Sequence, residues 1–478
     1  MKTSMPARRE SLKSKLIGDR AFYAQVLAIV LPIIIQNTVS NVVNLLDNVM
    51  VGRVGTLEMS AVAIVNRLFF VFNLCIFGGL AGAGIFATQF AGAQDDEGVR
   101  HCFRMKLLIA AAMFAAALCV LSALPQKLIS MYLAEGTDAR EAELTMGYGM
   151  GYLRAMLVGI LPFALSQVYA STLREVGETR LPMIASIAAI LVNLMFNYLL
   201  IFGSFGFPRL GVVGAAVATV ISRYVELIII VVYTHAKRQR FPFIQGVYRS
   251  LYIPGELFGS IMRKGMPLLV NEFLWSSGMA VLMQCYSVRG LNVIAALNIS
   301  MTAGDLFNVV FLSMGNAVAI MVGQALGANR MGEAKQTAWR LIVFSVASSF
   351  VMGGIMQFFA PLVPQIYNTE ASVQQMATQF LRIVAVMMPV FSFSHCCYFT
   401  LRSGGRTWVT FVFDCLFTWC VSIPIAWLLA NRTAMPVVRL YLCVQGLDLI
   451  KMALGFVLVK KGVWMRNIIA SAPEEDAC

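Results

Sequence analysis

The sequence predicts an all-α integral membrane protein, with twelve transmembrane helices in two six-helix bundles related by a parallel internal repeat. Three observations lead there. The 478-residue chain is 59% hydrophobic and only 13% charged, where a soluble domain carries about 25% charged residues. Its apolar runs number twelve, each close to the roughly 20 residues a helix needs to cross a bilayer. Blocks of sequence recur in order, at fixed shifts, between its two halves.

The expected spans are 24–48, 60–87, 104–124, 147–170, 181–203 and 212–234, then 265–286, 292–322, 339–360, 377–400, 408–430 and 438–459. This divides the chain into a cytoplasmic segment 1–21, a first lobe 22–234, an interfacial linker 235–264, a second lobe 265–461 and a cytoplasmic tail 462–478. The linker, HAKRQRFPFIQGVYRSLYIPGELFGSIMRK, mixes aromatic and basic residues as a surface-lying segment does. The first apolar run is longer than a signal-peptide core and is not followed by a small-residue cleavage site, so it is expected to stay as a span.

A formal charge of +13 would suggest a nucleic-acid partner in a soluble protein. Here the positive-inside rule accounts for it, and no nucleic acid is expected. Lys2, Arg8, Arg9, Lys13, Lys15 and Arg20 precede the first span. Arg100, Arg104 and Lys106, then Arg174 and Arg180, and later Arg330, Lys335, Arg340, Arg402 and Arg406, crowd the even-numbered connections. Both termini are therefore expected in the cytoplasm. The ten cysteines fall mostly inside apolar runs and read as small hydrophobes. Of the three histidines, only His395 falls within a span.

The repeat is read from several matches. Pro32 and Gly55 recur as Pro267 and Gly290, and Gln89-Phe-Ala-Gly-Ala as Gln324-Ala-Leu-Gly-Ala, all 235 positions on. Leu153-Arg154 recurs as Leu381-Arg382, and Thr172-Leu-Arg-Glu-Val-Gly-Glu-Thr as Thr400-Leu-Arg-Ser-Gly-Gly-Arg-Thr, 228 positions on. Six spans per half return the chain to the side it started from, so the copies are parallel. Repeats of this kind mark transporters with a central site between rocking halves.

The candidate residues follow from the cost of polarity in lipid. A carboxylate on a spanning helix costs roughly 2.5–3.5 kcal/mol on insertion scales. Asp47 near the outer end of the first span is either an interfacial acid or a ligand. Asn41 and Asn44 on its own helix, and Asn193, Asn197 and Thr219 on the fifth and sixth spans, could supply it with oxygens. Asn193 and Asn197 are one turn apart and share a face. Such a set could coordinate sodium or hydrogen-bond a protonated carboxyl. Glu272 in the seventh span is either a snorkelling acid or a cation ligand of the second lobe, with Asp305 and Asp414 as weaker candidates. Gln36, Asn37, Asn41 and Asn44, with Asp305, are candidates for the wall of a substrate cavity. Arg223 with Glu226, and Asp448 with Lys451, sit three apart and are expected to pair along their helices. The glycines of Phe77-Gly-Gly-Leu-Ala-Gly-Ala-Gly are expected to permit close helix packing. No phosphate-binding loop of the Walker type is present, which excludes ATP as the driving force.

Asp47 to Ala63, read as D-x4-G-x2-G followed by Met-Ser-Ala-Val-Ala, resembles the first-helix signature of the multidrug and toxic compound extrusion transporters. Leu173-Arg-x2-Gly-x-Thr, Asn193-x3-Asn197-Tyr with Gly211-Val-Val-Gly-Ala-Ala-Val-Ala-Thr219, and Gly323-Gln-Ala-Leu-Gly-Ala are similar to the same family. The resemblance spans nearly the whole chain. It implies two six-helix bundles around a central cavity, and export of cationic amphipathic compounds in exchange for sodium or protons. It also implies roles for Asp47, Asn193, Thr219 and Glu272. Where some members have a second aspartate on the fifth helix, this chain has Asn197, and residues 385–400 of the tenth helix hold no acid. The coupling ion therefore stays open.

The expected protein is a multidrug antiporter working by alternating access, with a lipid-linked saccharide or lipid flippase as the alternative. It is expected not to be an enzyme and to need no cofactor beyond the coupling ion. It is expected to act as a monomer in the bacterial cytoplasmic membrane.

Overall fold

The computed structural model describes residues 16–132, 138–367 and 369–470. The basic cluster from Lys2 to Lys15 and the end of the tail lie outside these residues. The described chain is helical throughout, with no strand. Eleven helices are long and apolar enough to cross a membrane, and one bent pair completes twelve. In chain order they are α1 (Arg20–Gly52), α2 (Thr56–Gly92), α3 (Asp96–Ala123), α4 (Ala139–Leu157 and Ile160–Glu175), α5 (Arg180–Phe202) and α6 (Val212–Ala236). Then come α7 (Gly255–Ser287), α8 (Leu291–Gly327), α9 (Met331–Phe359), α10 (Ala371–Ser403), α11 (Thr407–Arg432) and α12 (Val437–Lys461).

The bend in α4 measures 48° and has a local cause. Pro162 cannot donate, and its ring crowds the carbonyl four residues back, at Val158. The chain tightens there, with Gly159 N bonded to Met156 O at 2.9 Å. Pro389 sits inside α10 without such a break.

The chain packs as two compact units. One is Pro32–Gly278; the other is Met279 onward together with the chain before Pro32. The repeat is visible within them. α1 and α7, and α2 and α8, start and end 235 positions apart, and α6 and α12 start and end 225 apart. Even the helix stops repeat. Gln94 and Asn329 both take the left-handed conformation, at φ 58° and 57°. Asp95 N then reaches back to Phe90 O, and Arg330 N to Ala325 O, at 2.9 Å each. This is the Schellman closure that satisfies the last free carbonyls of a helix.

In the first unit, small residues set how closely helices approach. A Cβ on Gly82 of α2 would lie 2.4 Å from Gly265 Cα of α7, and one on Gly78 would lie 3.0 Å from both Leu269 Cα and Glu272 Cγ. The Gly-x3-Gly spacing thus packs backbone against backbone, as small residues do in lipid. α7 begins at Gly255, ten residues before the expected start of the span, so Glu272 is well inside a helix. The linker is correspondingly shorter, and α3 pins it. Arg104 donates to the carbonyls of Val247, Gly246 and Tyr252 at 2.9, 3.1 and 3.1 Å.

Two expected ion pairs are replaced by contacts between helices. Arg223 donates to Gly159 O at 3.2 Å and lies over the Phe163 ring, while Glu226 hydrogen-bonds Ser186 of α5. Lys451 of α12 pairs with Asp414 of α11 at 2.5 Å, not with Asp448. These are equivalent positions: Ser186 and Asp414 are 228 apart, Glu226 and Lys451 225 apart. The same register bridges the last two helices of each half, by a hydroxyl and an acid in one and by an acid and a lysine in the other.

Asp414 and Lys451 are mostly buried, at 17% and 14% side-chain exposure. Removing one partner of a buried pair costs about 3–5 kcal/mol because the other charge is stranded. Asp414→Asn or Lys451→Met alone should lose about that much on unfolding in detergent. Asp414→Lys combined with Lys451→Asp should recover most of it. Single variants as stable as the parent would show that the pair stabilises nothing.

Candidate functional site

Asp47 lies on the last turns of α1, half-buried, and its bonded partners come from α5. Asn197 Nδ2 donates to Asp47 Oδ1 at 2.6 Å and to Asn193 Oδ1 at 3.1 Å. Asn193 Nδ2 donates to Thr219 Oγ1 at 3.3 Å, and the Thr219 hydroxyl donates to Ala215 O at 3.0 Å. Both asparagines are buried, Asn197 to 1% exposure.

Local chemistry builds this arrangement. The i, i+4 spacing stacks the two amides on one face of α5. α5 ends at Gly203 and α6 begins after Gly211, both at positive φ (74° and 55°), where a glycine is needed to turn the chain. Gly214 then lets α6 lie against α5, since a Cβ there would sit 2.5 Å from Leu200 O. That crossing brings Thr219, five residues further on, beside Asn193.

The Asn193 amide fits the cluster best with its nitrogen toward Asp47. The Asn193 amide atom that faces Asp47 is 3.0 and 3.2 Å from the two carboxylate oxygens. Amide oxygen and nitrogen are assigned from the hydrogen-bond network. With nitrogen toward Asp47 the amide donates to the carboxylate; with oxygen toward it, lone pairs face lone pairs. The second state is stable only with a proton on Asp47 or a cation between the oxygens. Asn197 Oδ1 is buried with no partner, a cost of about 1–3 kcal/mol unless something ligates it. Asp47, Asn193, Asn197 and Thr219 therefore present carboxylate, amide and hydroxyl oxygens, the hard donors that suit a cation such as sodium.

The other candidates lie apart from this cluster. Asn41 is half-buried and Asn44 exposed on α1, and neither side chain joins the Asp47 network. Gln36 and Asn37 are half-buried on α1, where the Gln36 carbonyl accepts from the Ser40 hydroxyl at 2.8 Å. Glu272 packs its stem against Gly78 of α2. Asp305 of α8 is exposed, in the second unit. Asp414 is held by Lys451. His395 sits between the rings of Phe311 and Phe399, with centroids 5.7 and 4.9 Å away.

Two features were hidden in the sequence. Lys106, counted above among the connection charges, is fully buried in α3 and donates to Ser171, Thr172 and Glu175 at 3.1, 3.1 and 2.5 Å. Its three acceptors sit on one turn of α4, and two of them, Thr172 and Glu175, belong to the repeated Thr172-Leu-Arg-Glu block, which was the available signal. Tyr152 of α4 donates to Asn66 of α2 at 3.2 Å, and nothing in the spacing announces it.

A family model described as MatE matches residues 32–199 and 267–428, once per half. The chain belongs to the MatE family, the multidrug and toxic compound extrusion transporters. "Probable multidrug resistance protein YoeA" of Bacillus subtilis is 25% identical over 447 residues, covering 91% of this chain and 93% of that protein. "Probable multidrug resistance protein NorM" of Bacillus cereus is 27% identical over 390 residues, covering 81% and 84%. Among solved structures, an outward-facing MATE transporter of the MOP superfamily superposes with a TM-score of 0.82 at 19% identity, covering 94% of this chain and 97% of that one. A MATE protein in a bent conformation gives 0.83 at 19%, covering 94% and 96%. This MatE protein thus shares its relatives' fold along nearly its whole length, as a multi-pass membrane protein in a lipid bilayer.

The geometry separates bonded from bystander amides on the way to Asp47. Asn197→Leu should cost about 2 kcal/mol on unfolding in detergent, since hydrogen bonds to charged groups contribute about 1.5–3 kcal/mol. Asn41→Leu and Asn44→Leu should stay within about 0.5 kcal/mol, as substitutions away from such networks do. Equal effects from all three would mean that Asn197 does not hold the carboxylate.

Proposed function

We propose that this MatE transporter is a secondary antiporter that exports cationic amphipathic compounds from the cytoplasm in exchange for Na+ or H+. The observation that carries the proposal is the oxygen cluster of Asp47, Asn193, Asn197 and Thr219. Membership of the family supports export, and the multidrug resistance names of its relatives support a broad substrate range. The positive-inside distribution supports cytoplasmic termini in a bacterial cytoplasmic membrane.

Each residue has a distinct part. Asp47 supplies the charge that a monovalent cation or proton neutralises. Asn197 fixes one carboxylate oxygen and offers its own oxygen as a ligand. Asn193 turns its amide to match: nitrogen toward a bare carboxylate, oxygen toward a proton or cation. Thr219 supplies the last oxygen and holds Asn193 from the other side. The ion can drive transport only if it binds two states of the protein with different affinity, and an amide that must reorient offers such a difference. Glu272 could add a second cation ligand, which makes it the next residue to test.

Dye efflux from vesicles, with sodium and pH gradients imposed separately, tests this directly. Efflux driven by sodium alone makes the cluster an ion cage; efflux driven by the pH gradient alone makes Asp47 a titrating acid. Asp47→Asn should abolish either while the protein still inserts. Thr219→Val, which removes one oxygen and keeps the shape, should raise the ion concentration for half-maximal efflux about tenfold, the worth of one net hydrogen bond. Full efflux by Asp47→Asn would end the proposal. Absence of any gradient-driven dye efflux would turn attention to a lipid-moving activity.

A further inference from the structure

Thr219, Ser222 and Glu226 follow one another on α6 at spacings of three and four. Seven residues return a helix to within about 20° of the same face and advance it by about 10 Å. Glu226 therefore shares a stripe with Thr219, further along the helix toward the linker. Ser222 lies between them, buried, with its hydroxyl donating to Thr219 O at 2.8 Å. α5 runs the other way and carries a matching stripe. Asn193 and Ser186 are also seven apart, and both are buried. Asn193 meets Thr219 at one level, and Ser186 meets Glu226 two turns further in. A polar lane thus runs between α5 and α6, from the Asp47 cluster to a second carboxylate.

The second half keeps the geometry without the lane. The counterparts of Asn193 and Asn197, 228 positions on, are Val421 and Ile425. Those of Thr219 and Ser222, 225 positions on, are Val444 and Leu447. The inner bridge alone remains polar, and there Lys451 holds a tethered ammonium on Asp414. Glu226 has no such tethered cation: among the described residues it forms no ion pair. Yet it is half-buried on a spanning helix, where an acid is costly. The charged groups facing it are Arg174, in the last turn of α4, and Arg223 on its own helix. α5 brings the Ser186 hydroxyl, and α2 the ring of Phe69, 5.8 Å from the Arg223 guanidinium. Both arginines are held elsewhere, Arg174 by Ala170 O and Arg223 by Gly159 O, each at 3.2 Å. One carboxylate and one hydroxyl are too few oxygens to enclose a metal cation, and the guanidiniums repel one. A proton needs a single bond.

We propose that Glu226 is a second proton station of the first half, which takes the coupling proton from the Asp47 cluster and releases it to the cytoplasm. This rests on the antiport proposed above and fixes its ion at this step. The O–H bond of a protonated Asp47 breaks, and water in the lane carries the proton past Thr219 and Ser222. An O–H bond forms at Glu226, and Asp47 is left as a carboxylate bonded by amide nitrogen. Arg223, three residues before Glu226, can reach it once it leaves the Gly159 carbonyl beside the bend in α4. The ion pair then formed expels the proton toward the cytoplasm.

Two measurements on ethidium in reconstituted vesicles test this, with equal amounts of inserted protein. One is efflux driven by a pH gradient; the other is dye-for-dye exchange with no gradient, which needs no proton release. In Glu226→Gln, driven efflux should fall about a hundredfold, the low end of what a positioned proton-transfer group contributes. Exchange should continue at the wild-type rate, and Glu226→Asp should restore much of the driven efflux. Ser186→Asp combined with Glu226→Lys builds the bridge of the second half into the first. That protein should insert, exchange dye and lose driven efflux. Three results overturn the inference while leaving the export function standing. They are undiminished driven efflux in Glu226→Gln or in the double variant, an equal loss of driven efflux and exchange in Glu226→Gln, as for a structural role, and a wild type driven by sodium alone. A wild type that moves no ethidium under any gradient overturns the export function itself, and this inference with it.

Discussion

Inside a bilayer no water completes the hydrogen bonds of a polar group, so a charge buried on a spanning helix must find its partners within the protein. Much of this structure follows from that constraint. Lys106 has three acceptors on one turn of α4, one for each of its protons. Asp414 has Lys451, Glu226 has Ser186, and Arg223 takes the carbonyl of Gly159 beside the bend in α4. In each case the partner lies on another helix, so satisfying the charge also fixes which helices are neighbours and at what height. The glycines of α2 act in the same sense: with no hydrophobic effect between helices in lipid, close backbone approach supplies the attraction.

The two halves show what such pairing does and does not require. The position that is Ser186 in one half is Asp414 in the other, and Glu226 corresponds to Lys451. A bridge between the last two helices is kept while its chemistry changes sign. The helix ends behave likewise, since Gln94 and Asn329 take the same left-handed turn with different side chains. What the duplication preserves is geometry, and the charges placed on it are free to differ. Asp47 has no counterpart in the second half, where Leu282 stands 235 positions on.

The twelve spans, their duplication and the joining of Asp47 with Asn193, Asn197 and Thr219 were legible in the sequence. Span length is set by membrane thickness, and i, i+4 spacing alone puts two amides on one face. The ion pairs were not legible, because a sequence displays only partners on the same helix. Asp448 stands three residues from Lys451 and looks like its mate, yet Asp414 of α11 holds it. Asn41 and Asn44 failed as partners of Asp47 for a related reason. Residues along one helix lie side by side, whereas α5 approaches Asp47 from across the gap and points its amides at it. Lys106 was misplaced because a lysine near a span end reads as a loop charge, and its acceptors lie more than sixty residues away.

Asn197, where some relatives have a second acid, changes the electrostatics of the Asp47 cluster. Two adjacent carboxylates cannot both ionise cheaply and so share a proton. One carboxylate among neutral amide and hydroxyl oxygens carries a single negative charge, which one monovalent cation or one proton cancels. To swing a two-state protein from 1:99 to 99:1, that ion must favour one state by about 5.5 kcal/mol. A carboxylate with a bare amide oxygen beside it gains much from a cation, whereas one already bonded by amide nitrogen gains little. If the cluster binds an ion as proposed, the orientation of Asn193 sets how strongly that ion is held. A conformational change that moves α1 relative to α5 would act on affinity through that one amide.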